Sequence, residues 1–73
     1  MNEEKTLSKI VGENLKQVIK AKYISQGDFA FDFGVEMRTL SRWLNNGITN
    51  LDTLQQIVEF LQIEITDLLI QKH

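Results

Sequence analysis

An all-α domain of five short helices is what the sequence predicts, on three observations. Apolar residues recur at spacings of three and four along most of the 73-residue chain. Proline is absent, and no linker or low-complexity stretch interrupts the pattern. Cap-forming residues divide it into pieces too short to be anything but a small helical bundle. The length allows one domain, residues 1–73, with residues 1–6 expected to fray.

The first helix is set by Leu7, Val11, Leu15, Val18 and Ile19, which share one face and carry it to about Lys22. Glu13, Lys16 and Lys20 then face solvent. Ser25 followed by Asp28 has capping-box spacing, so a second helix begins at Gln26. Phe29, Ala30 and Phe33 form its buried side. Gly34 supplies the positive backbone angle that ends it and turns the chain. Phe31 points the other way, toward solvent, and Gly27 costs the helix roughly 1 kcal/mol relative to alanine without an evident reason.

The third helix follows at once, with Leu40, Trp43 and Leu44 on one side and Arg38, Ser41, Arg42 and Asn45 on the other; Asn45, Asn46 and Gly47 close it. Asn50 is the N-cap of a fourth helix whose inward stripe is Leu51, Leu54, Ile57, Val58 and Leu61. Ile63 and Ile65 alternate into the core. Thr66 to Ile70 make the last helix, capped by Glu64 and bringing Leu68 and Leu69 inward.

Composition narrows the function. Without cysteine there is no disulfide framework or thiolate metal site. The single histidine, His73, is the last residue, the serines lack a base to activate them, and Glu3 and Glu4 read as a solvated terminus. Neither catalysis, a cofactor nor a metal is expected. No apolar run reaches the length of a membrane span, and the opening MNEEKTLSK is polar, so a cytoplasmic protein is expected. The formal charge of −2 works against approach to phosphates.

Two short helices joined by a glycine-containing turn, with a polar outer face on the second, make a helix-turn-helix. Arginine pairs with guanine O6 and N7, and serine or asparagine reaches a base edge or a phosphate. The stretch from Val11 to Leu69 resembles the helix-turn-helix domain of the lambda repressor and Cro type, an XRE-like DNA-binding domain. The resemblance rests on VGENLKQ, KAKYISQGDFA, FGVEMRTLSRWLNNG, NLDTLQQIVEFL and ITDLL, in that order.

It implies a lambda-repressor-like five-helix fold and a transcriptional regulator, a repressor, that binds a palindromic DNA site as a homodimer. Met37, Arg38, Ser41 and Arg42 would read bases in the major groove. Gln26, Asn45, Thr49, Asn50 and Lys16 would meet the DNA backbone, and the C-terminal region, with Phe60 and Ile70, would form the dimer. Relatives often pair an arginine late in helix one with a glutamate after the aromatic residue of helix three. Here Ile19 and Leu44 stand at those positions, so both members of the pair have become apolar together. Glu36 occupies a place where relatives prefer serine or threonine, and Ile48 lies in a loop that is often basic.

With Lys16, Lys20, Arg38 and Arg42 as the cations at the interface, the log–log salt slope of binding should be about −3 to −4. The alternatives are a helix-turn-helix turned to protein recognition through Phe31 or Phe60, and the DNA-binding head of a longer regulator. A DNA binder should gather its positive charge around helix three despite its negative total.

Overall fold

The computed structural model describes residues 6–70. Within them the chain forms α1 (Leu7–Lys22), α2 (Gln26–Phe33), α3 (Met37–Asn46), α4 (Leu51–Leu61) and α5 (Ile65–Leu69). Thr6, grouped in the sequence with the fraying end, is the N-cap of α1, its hydroxyl accepting from Lys9 N. The fraying expected of residues 1–5, and His73, lie outside the described residues.

The caps fall where side-chain chemistry places them. Ser25 Oγ accepts from Asp28 N at 3.1 Å, and Asn50 Oδ1 accepts from Thr53 N at 3.0 Å. Asp67 accepts from the Glu64 amide at 2.9 Å, so α5 starts at Ile65, one residue before the predicted Thr66, and ends at Leu69. Gly34 adopts φ +88°, and the Gly34 and Val35 amides both donate to Ala30 O at 2.9 Å, which closes the turn between α2 and α3.

The core is centred on α1. Val11, Leu15 and Ile19 are buried against Phe29 and Ala30 of α2, Leu40 and Leu44 of α3, Leu54, Ile57 and Leu61 of α4, and Leu68 of α5. Ile19 and Leu44 are thus packed as core residues, and no charge is left between α1 and α3 at those positions. Ile48, in the loop that is often basic in relatives, is also buried. Phe33, Trp43 and Phe60 add an aromatic layer, with ring centroids 5.0 Å apart for Phe33 and Phe60 and 6.2 Å for Phe33 and Trp43.

Three apolar residues depart from the predicted inward stripes. Leu7, Leu51 (77% exposed) and Ile65 stand out in solvent. All three sit in the first turn of their helices and line one apolar groove, where the neighbouring elements cover them only in part. Helical spacing fixes the direction of a side chain but not how far the facing element extends.

Candidate nucleic-acid interface

The position of α3 is decided by backbone contact with α1. A Cβ at Gly12 would come within 2.7 Å of Trp43 O and 3.0 Å of Leu44 O, closer than real side chains allow. Gly47, at φ +95° and ψ 177°, lies against Ser8, and a Cβ there would overlap the Ser8 carbonyl. That φ/ψ region is open almost only to glycine. Two glycines therefore let one helix seat directly on the other, and the rotation of α3 about its axis is fixed by backbone atoms.

The outward face of α3 follows from that seating. Arg38 and Arg42 are exposed, one helical turn apart; Met37 and Asn45 are exposed at either end, and Ser41 between them is half-buried. These are the residues the sequence predicts to read bases, together with Asn45, and the structure brings them onto one surface. Glu36, the N-cap of α3, makes no side-chain cap hydrogen bond, leaving its carboxylate in solvent at the start of the helix.

Gln26 opens α2 and is half-buried. It lines a shallow recess of about 290 Å³ with Lys16, Lys20 and Ser25, so two of the predicted backbone contacts, Gln26 and Lys16, converge there. Asn50 is exposed, but its carbonyl oxygen is engaged in capping α4. Thr49 is exposed and borders a separate apolar groove of about 320 Å³ shared with Leu7, Leu51 and Ile65.

Of the predicted dimer residues, Phe60 packs its ring on Phe29 and Phe33 and remains 42% exposed, while Ile70 is exposed and gives its carbonyl to Asn14. At 1.5 Å per residue, Asn14 and Tyr23 are more than two helical turns apart on α1. Phe60 sits by Tyr23 and Ile70 by Asn14, so the two apolar groups occupy different parts of the surface.

Charge is unevenly distributed. Residues 7–46 carry six basic and four acidic side chains; residues 47–70 carry four acidic and none basic. Four of those basic groups lie on α1 and two, Arg38 and Arg42, on α3.

Sequence reasoning missed Asn14. It is buried on α1, and its Nδ2 donates to Leu68 O and Ile70 O, each at 2.8 Å, which fastens the end of α5 to the first helix. The signal was present, because Asn14 lies three residues from Val11 and four from Val18, inside the apolar stripe. Gly12 could have been found the same way, three residues before Leu15 and seven before Ile19.

Two helices meeting at a glycine turn, the second with a cationic outward face and a fixed seat on the first helix of the domain, define a helix-turn-helix domain. A family model described as Helix-turn-helix matches residues 15–68, and the chain belongs to that family, the DNA-binding domains of lambda-repressor type. No curated protein and no solved structure matches the chain significantly. No helix among the described residues is long and apolar enough to cross a membrane.

Proposed function

We propose that the chain is a sequence-specific transcriptional regulator, acting as a repressor, that reads a two-fold symmetric DNA site as a homodimer. The observation that carries this reading is the single face of α3 formed by Arg38, Ser41 and Arg42 on a helix whose placement is set by backbone contact. In the complex α3 lies in the major groove. Arg38 and Arg42 pair with guanine edges, Met37 and Ser41 sense neighbouring bases, and Gln26, Lys16, Asn45, Thr49 and the Asn50 amide hold phosphates. Two copies related by a two-fold axis, meeting through Phe60 and Ile70, would set their α3 helices about 34 Å apart, one turn of DNA. Dimerisation matters because each copy has few cations with which to hold phosphate.

Selection of bound duplexes from a random library at low salt tests this reading. The expected result is enrichment of a symmetric site, with Arg42→Ala losing affinity by about 1 to 3 kcal/mol and relaxing preference at one base pair of each half-site. Absence of any enriched site would sink it. It would favour a second reading supported by Glu36 and the wholly acidic charge of residues 47–70, in which the fold serves protein recognition.

A further inference from the structure

The recess beside Gln26 has a wall that a phosphate alone does not account for. Lys16 and Lys20 stand at it, both exposed, yet its surface is otherwise mostly apolar, with Ile19 and Ile24 among the lining residues. Ile19 belongs to the core, but Ile24 is 98% exposed, more than any other large apolar residue described. An isoleucine left in water contributes nothing to packing, so the fold itself does not call for it.

The place of Ile24 is nevertheless fixed, because both of its neighbours are engaged. Tyr23 rests edge-on against Phe29, with ring centroids 5.4 Å apart, and donates its hydroxyl to Asp32 at 2.9 Å. Ser25 caps α2 by accepting from Asp28 N. The short segment between α1 and α2 is thus held on either side of Ile24, which is presented at the edge of the recess.

Cations and an apolar wall at one recess ask for a ligand that is anionic and apolar at once. A unit of DNA backbone is both, since each phosphate is joined to a deoxyribose whose ring presents C–H groups. A bare phosphate would use the lysines and leave Ile24 in water.

Resting on the DNA reading above, we propose that Ile24 is a further backbone contact. It packs on the deoxyribose next to the phosphate that Lys16 and Gln26 hold, with Lys20 beside them. Such a contact carries no base information and fixes register on the duplex, and hence which base pairs Arg38 and Arg42 reach. It also adds affinity that releases no counterion, in an interface with few cations.

The test is equilibrium binding of the full chain to its selected duplex over a range of salt. Ile24→Ser should bind roughly tenfold more weakly, with the log–log salt slope unchanged. Lys16→Gln should instead make the slope shallower by about 1. Ile24→Leu should keep the parent affinity, and so should Phe31→Ser, which removes an exposed apolar side chain outside the recess. Urea melts of all four variants should match the parent, since every position substituted is exposed. Parent-like affinity in Ile24→Ser, a slope altered by it, or an equal loss in Phe31→Ser would overturn the proposal and leave the DNA reading standing. A parent chain that selects no site would overturn both.

Discussion

Helix α1 holds two other helices by opposite means. Against α3 it presents glycine, so backbone meets backbone at Gly12 and Gly47. Against α5 it presents a side chain, and the Asn14 amide donates to the Leu68 and Ile70 carbonyls. A steric seat admits no intermediate position, because any added atom overlaps a neighbour. A hydrogen-bonded tie can open locally and re-form with water. The difference teaches that α3, the second helix of the helix-turn-helix, is located by shape, whereas the last helix is located by polar chemistry.

The comparison can be broken most severely at Gly47. Gly47→Ala forces a Cβ into the Ser8 carbonyl at a backbone angle that costs about 1 to 3 kcal/mol by itself. With the overlap added, urea melts should show a loss of about 3 kcal/mol or more, and DNA binding should fall with it. An alanine variant as stable as the parent would show that α3 has freedom to move.

A smaller effect is expected at Asn14, where Asn14→Leu keeps the branching and number of side-chain heavy atoms and removes the donor. Two carbonyls lose their partner, and the cost should be about 1 to 3 kcal/mol. Hydrogen exchange gives the sharper contrast: amides at the end of α5 should exchange faster while those of α3 keep their protection. Uniform acceleration throughout the chain would mean that the two junctions are one cooperative unit.

Gly27 marks the small end of the scale and reverses the sign. The helix there has room for a methyl group, so Gly27→Ala should stabilise the protein by about 0.5 to 1 kcal/mol, raising Tm by a few degrees. Destabilisation would mean that α2 needs glycine for a reason internal to the fold.

These junctions also mark the limit of what the sequence made legible. Helical spacing and cap chemistry placed all five helices, with α5 displaced by one residue, and the outward residues Arg38 and Arg42 followed from spacing alone. Leu7, Leu51 and Ile65 are less buried than their stripes predict because a stripe records angle about the axis and not how fully the facing elements close over it. The burial of Ile48 was not legible because a residue between helices has no periodicity to read. Gly12 and Asn14 lay in the apolar stripe of α1, but a pattern built on hydrophobicity passes over small and polar residues in it. Glycine there means close approach, and a buried amide means a carbonyl waiting opposite. The groups that fix α3 and α5 are therefore the ones that a search for apolar residues discards.

Trp43 is the only tryptophan of the chain and Tyr23 the only tyrosine. Trp43 stands half-buried on the inner side of α3, edge-on to Phe33, and its own carbonyl abuts Gly12. Tyr23 is edge-on to Phe29 and donates its hydroxyl to Asp32 at 2.9 Å, a hydrogen bond that raises the phenol's pKa. Helix α3 thus carries its own fluorophore on the side opposite Arg38 and Arg42, next to the residue that seats it. Unlabelled protein should report any tilt of α3 as a change in indole emission, whether the tilt comes from DNA, from a partner or from unfolding.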